Sequence, residues 1–337
     1  MKNILVTGGA GFIGVNFVRM LLNETDDINV INYDALTYAG NLASLDDCLN
    51  NERHIFIHGD ICDINKVEDT FERYSPEGVI NFAAESHVDR SITDPDIFLK
   101  TNIMGTLSLL RASRKFNVKR FLQVSTDEVY GSLGLTGKFT EATNILPNSP
   151  YSASKASADH FVRAFNHTYD FDTVITRCSN NYGPYQFPEK MIPLCINNIL
   201  KNKNLPVYGD GMQIRDWLFV KDHCTAIWEV FNKGKSGEVY NIGGSNEKAN
   251  LELVKILLKI LNKPESLITF VKDRPGHDRR YAIDNSKIMS DLNWKLSVTF
   301  EQGIELTVKW YLDNKKWLEN VTSGAYQNYY SNMYSNR

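Results

Sequence analysis

The chain has 337 residues, of which 42% are hydrophobic, and a formal net charge of −3. This length allows one large core or two smaller ones, and the slightly acidic balance excludes the basic footprint of a nucleic-acid-binding protein. No apolar run approaches the ~20 residues of a membrane-spanning helix, and no signal peptide is visible at the start.

The five cysteines, Cys48, Cys62, Cys178, Cys195 and Cys224, form no C-x-x-C pair. Their odd number and scattered positions predict free thiols in a reducing compartment. We therefore expect a soluble, cytoplasmic protein, and no pattern of metal ligands is present to predict a metal site.

The first predicted unit is a strand at residues 4–6, a glycine turn and a helix. The turn carries Gly8, Gly11 and Gly14, which let the backbone turn tightly and approach a ligand. Backbone N–H groups and a helix N-terminus in this arrangement bind a pyrophosphate. A second strand, at 29–33, ends at Asp34, whose carboxylate can accept hydrogen bonds from a ribose and would repel a 2′-phosphate, so NAD is favoured over NADP.

Further strands are predicted at 55–57, 79–82, 121–124 and 173–177, with long helices at about 95–116 and 150–169. Strands and helices that alternate in this way predict an α/β fold with a doubly wound parallel (Rossmann-type) sheet. Ligands of such sheets lie at the carboxyl ends of the strands.

The chemistry-bearing residues follow these strand ends. The fifth strand delivers Thr126, Asp127 and Glu128, and the next helix carries Tyr151 and Lys155 one turn apart on one face. A phenol beside an ammonium is suited to remove a hydroxyl proton, and two neighbouring carboxyl groups can hold different protonation states. Together they suit an oxidation followed by acid/base elimination.

After residue 184 the alternation stops. Helices are predicted at 191–200, 222–231, 251–261 and 300–314, and short strands at 205–208, 239–242 and 268–271. We predict an NAD-binding domain at residues 1–182, with a returning segment at about 216–246, and a smaller mixed α/β domain at 183–337. Arginines of the smaller domain either clamp a diphosphate or lie on the surface, and the sequence favours neither.

Eight motifs resemble those of the extended short-chain dehydrogenase/reductases, and among these the dTDP-glucose 4,6-dehydratases of deoxysugar biosynthesis. The motifs are VTGGAGFIG, YDALTYAGN, AAESHVDRS, STDEVYG, YSASK, RCSNNYGPYQFPEK, RDWLFV and DRPGHDRRYAID. The resemblance extends to about residue 316. STDEVYG is its most specific element, since related sugar epimerases lack the acid pair.

The resemblance implies the following contacts. Besides the three glycines, NAD is expected to contact Phe12, Ile13, Asp34, Ala35, Leu36, Thr37, Asp60, Ile61, Ala83, Ala84, Thr101, Tyr151, Lys155 and Asn181. A dTDP-glucose substrate is expected to contact Ser86, His87, Thr126, Asp127, Glu128, Asn180, Lys190, Met191, Pro206, Val207, Tyr208, Arg215, Asn250, Asp273, Arg274 and His277.

It also implies the roles and the assembly. Tyr151, with Lys155 and Thr126, would start an oxidation at carbon 4 of the sugar. Glu128 would then act as base and Asp127 as acid in the loss of water across carbons 5 and 6, before hydride returns to carbon 6. A homodimer would form through the helices at about 95–116 and 151–169.

Three alternatives stay open from the sequence. A dehydratase for UDP- or CDP-glucose differs only in the nucleotide. A nucleotide-sugar 4-epimerase shares the oxidation but needs no acid pair. A non-catalytic NAD-binding regulator, from another class, would show tight NAD binding without turnover.

Overall fold

Seven parallel strands form the central sheet of the protein, which is seen here in a computed structural model that describes residues 1–273 and 277–323. The order along the sheet is β10-β6-β5-β4-β1-β2-β3. These strands are β1 Lys2–Thr7, β2 Ile28–Asp34, β3 His54–His58, β4 Gly78–Asn81, β5 Arg120–Thr126, β6 Thr173–Cys178 and β10 Val239–Ile242. The predicted doubly wound sheet is confirmed, and so is the returning strand at 239–242.

The direction in which strands are added reverses between β1 and β4. Strands β1, β2 and β3 are added one after another toward one edge of the sheet, and β4, β5 and β6 toward the other edge. The carboxyl ends of β1 and β4 therefore border a crevice that can hold a ligand. Most residues of these strands are buried, because helices cover both faces of the sheet. This is why the strands read as continuous apolar runs.

Two groups of helices pack on the two faces of the central sheet. Apolar side chains of α1, α8 and α10 share one core with one face of the sheet, and those of α2, α5 and α6 share a second core with the other face. The helices are α1 Phe12–Glu24, α2 Ile64–Tyr74, α3 Val88–Thr93, α4 Asp96–Phe98, α5 Thr106–Lys115, α6 Pro150–Tyr169, α7 Met191–Leu200, α8 Val220–Lys233, α9 Asn250–Ile260, α10 Ser286–Leu292, α11 Phe300–Asp313 and α12 Lys315–Val321.

The helix predicted at 95–116 consists of three consecutive segments. A π-helical stretch, Leu99–Gly105, joins α4 to α5. Such stretches widen a helix locally and are often found at functional sites. Here the stretch contains Thr101, one of the predicted cofactor contacts.

A third core lies under the smaller part of the chain. It contains side chains of α7, α9, α11 and α12 together with two small sheets. Their strands are β7 Asn180–Tyr182, β8 Leu205–Tyr208, β9 Ile214–Phe219, β11 Glu247–Ala249 and β12 Ile268–Val271. The three-stranded sheet, in the order β11-β9-β7, was not predicted. Where one domain ends and the other begins stays a prediction.

Candidate active site

The glycine turn after β1 is fixed by close contacts. Gly8 has a φ of +71°, and a Cβ there would lie 2.7 Å from the backbone nitrogen of Ala83 at the end of β4. A Cβ at Gly14 would lie 2.1 Å from the Gly8 carbonyl oxygen. Glycine is therefore required at both positions. Among the described residues no side chain caps the start of α1, so its first N–H groups face the crevice without a capping partner.

Asp34 ends β2 beside this turn. One carboxylate oxygen accepts a hydrogen bond from the Ala10 N–H at 2.9 Å and the other from the Leu36 N–H at 2.8 Å. Burial raises the pKa of Asp34, and the two backbone hydrogen bonds oppose that rise. Each oxygen retains a lone pair for a ribose hydroxyl, so the side chain both holds the turn and offers two acceptors.

The acid pair lies on a single turn of 3₁₀ helix, Asp127–Tyr130, that follows β5 directly. The Thr126 hydroxyl accepts a hydrogen bond from the Glu128 N–H at 3.2 Å and donates to the Asp127 carboxyl at 3.3 Å. Asp127 is only 2% exposed, and its Oδ2 has no hydrogen-bond partner among the described residues. Burial, reinforced by the charges of Glu128 and Asp216, raises the pKa of Asp127 well above its usual value.

Tyr151 and Lys155 lie on the first turns of α6. A capping box of Ser149 and Ser152, with Pro150 at the first helical position, fixes where this helix begins. The Lys155 ammonium donates to the Val124 carbonyl on β5 at 2.7 Å. Burial lowers the pKa of Lys155.

The Tyr151 phenol is buried next to the acid pair. Burial raises its pKa well above the usual value, and the charge of Glu128 adds to the rise. A hydrogen bond with the Thr126 hydroxyl has the opposite effect. The phenol therefore needs a nearby positive charge to act as a base at neutral pH.

One cleft brings these groups together. Of the predicted cofactor residues, all except Leu36 line it. Of the predicted substrate residues, six line it, namely Ser86, Thr126, Asp127, Glu128, Asn180 and Lys190. Leu36 packs against the core behind the glycine turn.

The other predicted substrate residues are not among those that line this cleft. His87 accepts a hydrogen bond from the Arg90 N–H at 3.4 Å and so caps α3. Met191 packs against the third core. Pro206, Val207 and Tyr208 belong to β8, and the Tyr208 hydroxyl reaches Asp89 at 3.4 Å.

Arg215 and its neighbours form a second polar group. The Arg215 guanidinium donates to the Asp278 carbonyl at 2.9 Å and lies 4.4 Å from the centre of the Tyr281 ring. Asp273 and His277 are joined at 2.6 Å. Asn250 begins α9, and Arg274 lies outside the described residues.

Two acidic residues of the cleft were not predicted. Glu85 and Glu189 both line it, and burial raises the pKa of each. Glu189 accepts a hydrogen bond from the Tyr38 hydroxyl at 3.0 Å, and Arg90 lies 3.6 Å above the Tyr38 ring. The motifs FPEK and AAES contain both acids, but only burial distinguishes them from surface glutamates.

The cleft fits a dinucleotide at the points where one would bind. The start of α1 offers uncapped N–H groups to a diphosphate, and Asp34 offers two acceptors to a ribose. Ala83 and Ala84 leave room beside the strand ends, while Tyr151 and Lys155 lie at the far end with the acid pair.

Comparison with known proteins gives one consistent result. The sequence model of a family described as GDP-mannose 4,6 dehydratase matches residues 5–307. A dTDP-glucose 4,6-dehydratase of Xanthomonas campestris pv. campestris (strain B100) is 55% identical, with 97% of this chain and 98% of that protein covered.

Two solved structures are similar throughout. The dTDP-glucose 4,6-dehydratase of Bacillus anthracis, in complex with NAD, has a TM-score of 0.90 at 48% identity, covering 95% of this chain and 100% of that one. The enzyme of that name from Streptomyces venezuelae, also with NAD bound, has a TM-score of 0.92 at 46% identity with the same coverage.

Proposed function

The chain belongs to the dTDP-glucose 4,6-dehydratases, and from this we propose how its own residues divide the reaction between them. The enzyme is a hydro-lyase that uses NAD and converts dTDP-glucose to a 4-keto-6-deoxy sugar and water. In this proposal Tyr151, Lys155 and Thr126 serve the oxidation at carbon 4, and Asp127 and Glu128 serve the loss of water.

Bound NAD accepts a hydride from carbon 4 and returns it to carbon 6. Tyr151 takes the proton of the carbon-4 hydroxyl, for which it must be a phenolate. In this proposal the charge of the Lys155 ammonium, which donates to the Val124 carbonyl, favours that phenolate. Thr126, whose hydrogen bond opposes the rise in the pKa of the phenol, orients it.

The ketone at carbon 4 makes the carbon-5 proton acidic and the carbon-6 hydroxyl a β-leaving group. Glu128 removes that proton and Asp127 protonates the departing hydroxyl, which leaves as water. When hydride reaches carbon 6, Glu128 returns the proton to carbon 5. The observation that carries this division is the burial of Asp127, which raises its pKa well above the usual value and so favours the protonated carboxyl that an acid needs. Asp127, whose Oδ2 has no hydrogen-bond partner among the described residues, lines the same cleft as Tyr151.

The smaller part of the chain is proposed to hold the nucleotide. Arg215 supplies a guanidinium suited to diphosphate oxygens, and Asn250 has a buried Oδ1 without a partner among the described residues. On the cleft side, the Lys190 ammonium donates to the Ser86 carbonyl at 2.9 Å and so lies where a diphosphate would pass. Substitution of these residues should change the affinity for the substrate and leave the affinity for NAD unaltered.

We also propose a homodimer. The π-helical stretch and α6 pack against each other, and each exposes large apolar side chains. Leu99 and Met104 are 51% and 55% exposed, and Phe161 is 39% exposed. A second copy of the chain on these helices would cover that surface.

The cytoplasm is the proposed location. All five cysteines are free thiols, as expected of a protein kept in a reducing compartment. In the described part of the chain no helix is long and apolar enough to span a membrane.

The proposed function is tested by incubating the purified protein with dTDP-glucose and following the sugar by mass spectrometry. Loss of one water from the sugar is expected. An unchanged mass with a new configuration at carbon 4 would identify an epimerase and overturn the proposal. The same incubation with the Glu128→Gln variant serves as the matched control.

A further inference from the structure

A buried ion pair lies one helical turn beyond Lys155. Asp159 follows Lys155 by four residues on α6, so both side chains belong to one face of the helix. The Arg177 Nε on β6 lies 2.9 Å from the Asp159 Oδ2. Lys155, Asp159 and Arg177 are only 4%, 1% and 5% exposed, so all three charges interact with little screening by water.

Arg177 is also held on its other side. Its Nη1 donates to the Tyr130 hydroxyl at 3.0 Å, and the guanidinium lies 4.9 Å from the centre of that ring. Tyr130 in turn donates to the Asn241 Oδ1 at 2.8 Å and belongs to the same 3₁₀ turn as the acid pair. The guanidinium is therefore fixed in place, and it fixes Asp159.

Asp159 supplies a carboxylate one helical turn from Lys155. The hydrogen-bond acceptor of the ammonium is a neutral carbonyl, that of Val124. The Asp159 Oδ1 is buried and has no hydrogen-bond partner in the described part of the chain, so the pair with Arg177 uses only the other carboxylate oxygen. In agreement, burial lowers the pKa of Lys155, and the Asp159 charge is the largest effect that opposes it.

The other titratable groups around Lys155 do not replace this anion. They are Tyr151 on α6, Cys178 on β6, and Asp127 and Glu128 on the 3₁₀ turn. Burial raises the pKa of Cys178 to about 12 and raises the pKa of Tyr151 and Asp127 well above their usual values. Burial therefore disfavours the charged form of all three groups, and Glu128 is only half-buried.

We propose that Asp159, fixed by Arg177, is a positioning residue that keeps Lys155 as an ammonium during the oxidation. This inference rests on the proposed role of Lys155. It gives a task to Asp159 and Arg177, which are not among the residues that line the cleft.

The test separates this task from a purely structural ion pair. Asp159→Asn alone would leave a buried guanidinium unpaired, and destabilisation would follow from that. The double variant Asp159→Asn with Arg177→Gln removes both charges and keeps a polar side chain at each position, although glutamine is smaller than arginine. The titration of Lys155 is followed by NMR of the protein carrying ¹³C-labelled lysine ε-carbons, with the signal assigned by its absence in Lys155→Met. The first hydride transfer is followed across pH by rapid mixing.

In the double variant Lys155 is expected to titrate at lower pH than in the parent. The alkaline loss of hydride transfer should move in the same direction, about tenfold in rate for each pH unit of displacement. The single variant Asp159→Glu keeps the negative charge and the Arg177 partner, so Lys155 should titrate in it as in the parent. A parental titration in the double variant would overturn the inference.

A matched control lies at the start of strands β5 and β6, away from Lys155. Arg120 at the start of β5 pairs with Asp172 just before β6, with Nε and Oδ2 2.8 Å apart. Neutralising that pair should leave the Lys155 titration unaltered, and an equal displacement there would also refute the assignment to Asp159. If instead Lys155→Met transfers hydride at the parental rate, the proposed role of Lys155 fails, whatever its titration in the double variant.

Discussion

Replacement of Asp127 by asparagine tests the division of labour within the acid pair. The amide has nearly the shape of the protonated carboxyl that burial favours, but it cannot give up a proton. Oxidation at carbon 4 should continue, whereas loss of water should slow by about 10²- to 10⁴-fold, the usual contribution of a positioned acid. Rapid quenching and mass spectrometry of the bound sugar separate the two steps.

The same variant gives a second, independent result in stability. The folded-state pKa of Asp127 is raised above its unfolded value of about 3.9, so between these two pH values the folded state binds more protons than the unfolded state. Stability of the parent therefore falls as pH rises through this window, by up to about 1.4 kcal/mol per pH unit. The asparagine variant has no such proton to lose.

The difference in unfolding temperature, variant minus parent, should consequently grow with pH through that window. At about 2 °C per kcal/mol for a protein of this size, calorimetry resolves it. Asp284→Asn is the control, because hydrogen bonds from Ser286 lower the pKa of Asp284. Its stabilising effect is fully present above the unfolded value, so its difference should be constant between about pH 5 and about pH 8. Two results together would exclude Asp127 as the buried acid. These are loss of water at the parental rate in Asp127→Asn, and a difference in unfolding temperature that does not change with pH.

Four further predictions concern other parts of the account. Glu128→Gln should oxidise the sugar but lose water at least about a hundredfold more slowly, and parental elimination in quenched samples would remove its role as base. Tyr151→Phe should abolish the transient absorbance of reduced nicotinamide, and an undiminished signal would exclude the phenol as base. Asp34→Ala removes two acceptors for the ribose, worth about 1.5–3 kcal/mol for bonds to a charged group. Its NAD affinity, measured by calorimetry, should fall at least about tenfold, and an intact affinity would contradict the ribose contact. Phe161→Lys should convert the proposed dimer to monomers in light scattering, whereas an unaltered mass would place the interface elsewhere.

Local signals explain what the sequence predicts well. The turn at Gly8 and Gly14 follows an apolar strand and opens an amphipathic helix, so its position and its task are both readable. The helix at 150–169 begins at a proline after a serine, and the structure begins α6 at the same residue. Strands at 205–208 and 239–242 are likewise found as predicted.

Long-range partners explain what the sequence does not reveal. Strand β7 has only three residues and pairs with β9, more than thirty positions later, so no local pattern marks it. The π-helical stretch follows the same apolar pattern as the helix around it. Glu189 is buried in the cleft and accepts a hydrogen bond from Tyr38, which is distant in sequence, so no local pattern marks it.

A substrate labelled at carbon 4 tests directly whether oxidation precedes the loss of water. The Glu128→Gln variant is given dTDP-glucose with deuterium at carbon 4, and the bound sugar is followed by mass spectrometry. We expect a 4-keto sugar that has lost its deuterium but retains its carbon-5 proton and its carbon-6 hydroxyl. Loss of water while the deuterium is still at carbon 4 would contradict it.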